Sequence, residues 1–460
     1  MSPMAGMART TRIEGGMPPI SEFDHCFDRL ALAGRDCVVL GVSGGSDSMA
    51  LMQLFSGYAR QSFPALRLVA VTVDHGLRKE AAAEALFVAE AAAGLGIEHR
   101  TLVWGGPKPA TGLMEAARDA RHRLLAQAAR EAGTDLVLIA HTRDDQAETI
   151  AMRAERGEGG RGGAGIAEAT LHEGATWFAR PLLGVRRVVL RAALERAGTD
   201  WIDDPSNEDV RYERVRMRAA LSEAGIETTG RAAGDAANRR TALGEEAAAL
   251  IAARATMPVW GLIRLDPAIF ALSEKSAAIY ALRILFATAG GQTYLPDEQR
   301  AVAAFASLAG GPARLTLAGV VAERNRDGFF LYRENRNLPA RGDASPIWDG
   351  RYRITHADSA GTAIGEPDED TVGMLLQNAP SDVPARLARA AFARLPAVWR
   401  SEECLGLAGT VEGTTCEPVV APWARYLPSF DIAPARAVSA LIGARPVPEA
   451  PFSGRSMREA

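Results

Sequence analysis

The sequence predicts an α/β protein built on a doubly wound parallel sheet, followed by a mainly helical second domain and a small C-terminal domain. Three observations carry this reading. Apolar runs alternate with helical periods over residues 36–197, and the first run enters its helix through a serine- and glycine-rich turn. Beyond Ala219 the pattern changes to long alanine- and leucine-rich helical periods. Strands that alternate with helices favour a parallel sheet covered on both faces.

Taken in order, residues 1–18 lack periodicity and read as a disordered leader. A domain over residues 19–218 then carries strands at Asp36 to Val42, Leu66 to Asp74, Ile97 to Trp104, Asp135 to His141 and Thr176 to Pro181. Helical patterns lie between them at Asp47 to Arg60, Lys79 to Gly94, Leu113 to Ala132 and Arg143 to Arg156, with a further one at Arg186 to Ala197. The segment from Arg156 to Ile166 is too rich in glycine for either element and reads as a flexible loop. Residues 219–337 form the helical domain, with periods at Ala232 to Ala255 and Lys275 to Ala289 and a closing hairpin that turns at Asn325-Arg326-Asp327-Gly328. The proline- and glycine-bearing stretch after Asn337 reads as a linker, so residues 338–460 are expected to form a separate small domain.

Composition narrows the function classes. The 460 residues include 47% hydrophobic ones, enough for sizeable cores, but no apolar stretch long enough to span a membrane and no secretory signal. A cytoplasmic protein is expected. Cys26, Cys37, Cys404 and Cys416 form no Cys-x-x-Cys pair, so they read as free thiols rather than a zinc or iron-sulfur site. The net charge of -4 gives no global attraction to nucleic acid, which shifts attention to local arginine clusters.

The turn Ser43-Gly44-Gly45-Ser46-Asp47-Ser48 is the first candidate site. Its glycines permit backbone angles denied to other residues, so successive amides can face an anion, and the following helix adds its positive end. No Gly-Lys-Ser/Thr and no Gly-x-Gly-x-x-Gly is present, which excludes the usual ATPase loop and the dinucleotide fingerprint. Farther along, Asp144, Asp145 and Glu148 open a helix, and their spacing puts Glu148 on the face of both aspartates. Three carboxylates at the mouth of a parallel sheet can hold magnesium or a substrate ammonium. Thr142-x-x-Asp145 reads equally as a capping box with a solvated acidic first turn. His75 and His141 each follow a strand at the end where ligands bind in open sheets. Glu115, Arg118 and His122 share one helical face, which also describes an ordinary ion-pair stripe. Arg180, Arg211, Arg214, Arg216 and Arg218 suit phosphate, although residues 180–218 hold nine arginines beside seven acids, so a mixed solvated surface is the competing reading.

The Ser-Gly-Gly-x-Asp-Ser loop after an apolar strand resembles the PP-loop ATP-pyrophosphatase superfamily, whose Rossmann-like domain splits ATP between its α- and β-phosphates. The motifs "VDHGLR" at Val73 to Arg78, "MEAARDARHRLL" at Met114 to Leu125, "AHTRDDQAETIAMRAERGEG" at Ala140 to Gly159, "RPLL" at Arg180 to Leu183 and "DPSNEDVRYERVRMR" at Asp204 to Arg218 follow in order. Together they resemble the bacterial tRNA(Ile)-lysidine synthase family, closely over residues 36–218 and more loosely to about 335. Where that family usually has Arg-Asn, this chain has Arg214-Val215.

The resemblance implies that ATP activates C2 of the cytidine at the first anticodon position of a tRNA(Ile) with a CAU anticodon, and that free lysine displaces AMP. It implies ATP contacts from Ser43, Gly44, Gly45, Ser46, Asp47, Ser48 and His75, and magnesium at Asp47 and Asp144. Lysine would meet Arg118, Asp144, Asp145 and Glu148, tRNA would meet Arg180, Arg211, Arg214 and Arg218, and catalysis would fall to Asp47, Arg118, His141 and Asp145. A homodimer is compatible with it. Two alternatives stay open: another adenylating ligase of this superfamily that uses sulfur or ammonia, and an RNA-binding protein with a catalytically dead nucleotide fold. The cysteine positions suit neither sulfur transfer nor a glutamine-fed ammonia source.

Overall fold

Val38, Val39 and Leu40 are completely buried, as expected of a central strand covered on both faces. The computed structural model describes residues 21–78, 80–157, 162–203, 211, 213–342, 345–356 and 361–452. The expected leader at 1–18, Lys79, residues 158–161 of the glycine-rich segment and residues 204–210 and 212 of the last motif lie outside them. The chain forms two compact units, one of residues 1–238 with 449–460 and one of residues 239–448.

In the first unit, strands and helices alternate as expected. They are β1 (Cys37–Gly41), α1 (Ser46–Ser62), β2 (Arg67–Asp74), α2 (Ala81–Gly94), β3 (Glu98–Val103), α3 (Leu113–Glu131), β4 (Leu136–Ile139) and α4 (Arg143–Glu155). Then come β5 (Ala169–His172), β6 (Thr176–Ala179), α5 (Arg187–Arg196), α6 (Glu213–Ala220) and α7 (Glu223–Arg254), and the division between units falls inside α7. Within this unit the strand order is β5-β6-β4-β1-β2-β3. β1 lies between β2 and β4 and is parallel to both, with Val39 opposite Val69 and Val137. β5 was not expected: it is four residues long and antiparallel to β6, joined through left-handed Glu173 and Gly174, and is too short to leave a periodic signal. Leu125, Ala128 and Ala129 of α3 pack on Val39, Val69, Val137 and Ile139. Returning chain near the C-terminus pairs with Leu30 through Phe452.

Residues 219–337 carry the expected helices and, in addition, an antiparallel sheet. Helices α8 (Ser276–Ala289) and α9 (Glu298–Ala309) accompany a five-stranded antiparallel sheet of β7 (Ala255–Val259), β8 (Leu262–Leu265), β9 (Ala313–Leu317), β10 (Val320–Asn325) and β11 (Gly328–Arg333). Its order is β7-β8-β11-β10-β9. The hairpin at Asn325 to Gly328 forms as read, with Asn325 opposite Gly328. β7 and β8 escaped the sequence reading because Pro258, a register shift and left-handed Gly261 interrupt short strands.

The expected separation at residue 338 also gives way to a single core. Leu262 and Phe330 share one buried cluster with Trp348, Leu387 and Leu395. The polar stretch after Asn337 is thus a connection within one unit, because burial on both sides of it is common property. A cavity of about 600 Å³ in this unit, lined by Gly291, Arg333 and Asp349 among others, contains none of the residues expected to act.

Candidate active site

The turn after β1 is built for backbone approach. Gly44 has φ 85°, and a Cβ there would stand 3.0 Å from Ile202 Cδ1. Its carbonyl accepts from the Ile202 amide at 2.9 Å. Gly45 caps α1 in an extended conformation with no side-chain acceptor, so the first amides of the helix face the carboxyl edge of the sheet uncapped. Ser48 Oγ donates to Gly45 O at 2.9 Å and accepts from the Ser43 amide at 3.1 Å, with Ser43 Oγ 3.3 Å away. These two serines brace the loop, while Ser46 Oγ accepts from Arg191 Nε at 3.2 Å.

The expected carboxylates do meet, and an arginine joins them. Arg187 Nε donates to Asp47 Oδ2 at 2.8 Å, its Nη2 to Asp145 Oδ1 at 3.0 Å and its Nη1 to Glu148 Oε1 at 3.5 Å. The Arg187 amide donates to Asp144 Oδ2 at 2.8 Å, and Arg186 Nε reaches the same oxygen at 3.3 Å. From α6, Arg214 donates to Glu148 Oε2 at 2.6 Å and Asp145 Oδ1 at 2.8 Å, and Arg218 to Glu148 Oε1 at 2.7 Å. Of the two readings of Asp145, the capping box forms, and the carboxylate has further partners besides. Its Oδ2 accepts from the Thr142 amide at 2.7 Å and hydroxyl at 2.8 Å, forming the capping box, and its Oδ1 faces the guanidinium groups.

Charge states follow from these contacts. Burial works to raise Asp145, but Arg214 and Arg187 outweigh it and hold the carboxyl at about 2. Burial pushes Asp47 up against the pull of Arg187. Burial lowers His141 well below its ordinary value, reinforced by Arg180, and its Nδ1 is enclosed without a hydrogen-bond partner. His75 is lowered by burial and by Arg121, stands edge-on to Trp104 at 6.0 Å, and likewise has an unpartnered Nδ1. Both imidazoles are therefore neutral near pH 7.

A match to the PP-loop domain model spans residues 20–224. The chain is 48% identical to a tRNA(Ile)-lysidine synthase of Mesorhizobium japonicum over 431 residues, covering 91% of this chain and 95% of that protein. It belongs to the tRNA(Ile)-lysidine synthase family. Synthases of the same name from Rhizobium meliloti and Brucella canis are each 36% identical, over 90% and 93% of this chain and 93% and 98% of their own length. A U34-tRNA thiolase structure from Methanococcus maripaludis, with its [4Fe-4S] cluster, superposes with a TM-score of 0.40 at 18% identity, over 46% of this chain and 78% of that one, too low for any argument to rest on it.

In this synthase family member several expected contacts need correction. Arg180, expected at tRNA, is buried and donates to Ala167 O and Thr170 Oγ1 at 3.0 Å, bracing the chain beside β6. Arg214 and Arg218, also expected at tRNA, turn inward because Glu148 is nearly inaccessible and draws both of them. Arg211 is exposed. The face Glu115-Arg118-His122 is divided: Glu115 and Arg118 are exposed, whereas buried His122 lies 4.8 Å from the Phe178 ring centroid. Among the described residues no group of three His, Cys, Asp or Glu is arranged to hold a metal ion, and Asp47 and Asp144 are each engaged by Arg187.

Arg186 and Arg187 were missed. The signal lay in the sequence: two arginines opening a helix oppose its dipole unless carboxylates face them. No helix among the described residues is long and apolar enough to cross a membrane.

Proposed function

We propose that this chain joins the side-chain amine of free lysine to C2 of the cytidine at the first anticodon position of a tRNA(Ile) bearing a CAU anticodon. In the first step the cytidine O2 bonds to the α-phosphorus of ATP and diphosphate leaves. In the second, the lysine nitrogen bonds to C2, the bond from C2 to the activated oxygen breaks, AMP departs and the amine loses a proton. The carrying observation is the uncapped loop Ser43 to Ser48 beside four convergent carboxylates, in a chain of this family.

Each residue has a role that its surroundings suit. Gly44, Gly45 and the first amides of α1 receive ATP phosphate, with Ser43 and Ser48 keeping the turn in shape. Magnesium usually takes one or two carboxylates plus substrate phosphates, so the lack of a three-residue cage does not count against it. Asp47, at the start of α1, fits such a site, with Asp144 as its neighbour, and the ion would neutralise phosphate charge. Asp145 and Glu148 suit the lysine ammonium, since they already hold guanidinium groups whose side chains are 39% and 38% exposed and so can yield to another cation. Neutral His141, beside Asp145, suits donation of a hydrogen bond to phosphate or to the activated base. Arg118 and exposed Arg211 suit substrate anions. Multiple-turnover pyrophosphate release by purified protein with tRNA(Ile), measured with and without lysine, tests the reading, since diphosphate leaves before lysine acts and only repeated turnover requires the amine. Release that depends on both supports it, and release indifferent to lysine overturns it.

A further inference from the structure

Helix α5 presents two arginines to consecutive residues of the turn after β1. Arg187 and Arg191 are one helical turn apart, and α5 lies against α1, so both reach its start. Arg187 takes Asp47 and continues to Asp145 and Glu148. Arg191 joins the turn to the chain at Trp201 to Asp203, which runs beside it with the Ile202 amide donating to Gly44 O at 2.9 Å. Its Nε donates to Ser46 Oγ at 3.2 Å and its Nη2 to Asp203 Oδ1 at 2.6 Å, and its guanidinium lies 5.5 Å from the centroid of the Trp201 ring. Two consequences follow from this bridge. Arg191 Nε fills an acceptor position of Ser46 Oγ and leaves the hydroxyl proton to donate, while the bond of that proton to Asp47 Oδ1, at 3.5 Å, is long for a hydroxyl. The pair of Arg191 with Asp203 is wet, with side chains 41% and 67% exposed, so it adds little stability and yields to a stronger oxyanion. Asp203 keeps Trp201 Nε1, at 3.2 Å, when Arg191 turns away.

We infer that Arg191 is a further substrate-binding residue, which holds the diphosphate half of ATP and orients Ser46 Oγ to donate to it. This rests on the phosphate reading of the turn given above. The direction of the nucleotide follows from the chemistry. The α-phosphorus stays near the carbon that the lysine nitrogen attacks, so it lies toward Asp145 and Glu148, where Arg187 reaches. The β- and γ-phosphates then extend the other way along the turn, toward Ser46 and Arg191. A guanidinium meets two phosphate oxygens at once, and its charge offsets that of the diphosphate as the bond from the α-phosphorus to the bridging oxygen breaks and the cytidine O2 takes its place.

Isothermal titration calorimetry with inorganic diphosphate, AMP and ATP tests this on the parent protein, Arg191→Gln and Asp203→Asn. Arg191→Gln should weaken diphosphate about tenfold, the size of one charged hydrogen bond, and leave AMP within about twofold of the parent. Asp203→Asn should move the other way and tighten diphosphate about twofold, because it removes the carboxylate that competes for the guanidinium. Selective loss of diphosphate in Arg191→Gln, with no loss in Asp203→Asn, supports the assignment. A strut that only shapes the turn would weaken diphosphate in both variants, and that result overturns it. So does equal weakening of diphosphate and AMP, or unchanged diphosphate binding in folded Arg191→Gln. If Arg191→Gln does not fold, Asp203→Asn decides, and anything other than tighter diphosphate binding there overturns the assignment. A parent that binds neither ATP nor diphosphate overturns the phosphate reading of the turn itself, whereas a parent that binds both, with variants that match it, overturns the role of Arg191 alone.

Discussion

Glu148 in the first unit and Asp431 in the second are both buried carboxylates held by arginine, yet their surroundings differ. Asp431 is fully enclosed and takes Arg240 as a fork, Nε at 3.0 Å and Nη2 at 2.5 Å, with Trp423 Nε1 at 3.2 Å and Tyr280 Oη at 3.3 Å also donating to it. Arg240 itself is covered by the Phe430 ring at 4.9 Å. Glu148 instead takes three arginines, of which Arg187 also serves Asp145 and Asp47 and Arg214 also serves Asp145, while Arg214 and Arg218 keep their outer faces in water. A dry pair with a dedicated partner cannot exchange it and serves the fold. Carboxylates that share wet partners can trade one cation for another and suit a site.

The contrast breaks most plainly at Asp431. Asp431→Ala should cost about 3–5 kcal/mol of unfolding free energy, because Arg240 is left buried and uncompensated. Urea denaturation followed by circular dichroism measures this, and a loss within experimental error would place Asp431 among the exchangeable pairs. Asp47→Ala should do the opposite. Folding should hold while lysine-dependent pyrophosphate release falls on the order of 100-fold, the usual effect of removing one group that acts on transition-state charge. Undiminished turnover would remove the loop from the chemistry.

Asp145 allows its two roles to be separated. Asp145→Asn keeps an acceptor for the Thr142 amide but loses the charge, so the KM for lysine should rise about tenfold, more than that for ATP. Thr142→Ala should cost about 1 kcal/mol of stability through the lost cap and leave the lysine KM in place. The pair fails if both variants change only stability. The charge also has a pH signature: with the folded carboxyl at about 2 against an ordinary 3.8, its contribution is fully present above the ordinary value and is lost as pH falls through the folded one. The stability gap between parent and Asp145→Asn should therefore close between about pH 4 and pH 2 in acid titrations.

The smallest effect is expected at the thiols. Burial lifts Cys26 and Cys416 to about 12, so neither supplies a thiolate at neutral pH. Replacing all four cysteines by alanine should leave the activity per folded molecule unchanged. Inactive but folded protein would restore sulfur chemistry to the list of readings.

Much of the first unit was legible because its signals are local. The apolar run into Gly44-Gly45, the carboxylates at 144, 145 and 148, and histidines closing two strands are each patterns within a few residues of one another. The second unit was less so: β7 and β8 are short and interrupted, and a single core across residue 338 leaves no mark in periodicity, since burial there comes from partners far away in the chain.

By itself the sequence determined the strand-helix alternation, the glycine turn after the first strand and the family, because backbone freedom at glycine and side-chain spacing on a helix are properties of neighbouring residues. Only tertiary structure decided where the arginines go. Arg180, Arg214 and Arg218 carry the same charge and the same promise for phosphate in a linear reading, and burial sends one to backbone carbonyls and two to Glu148. Arg187 becomes the hub of the site because Asp47, 140 residues earlier, meets it at the edge of the sheet. A guanidinium finds its partner through space, and the distance that selects the partner exists only once the strands have paired.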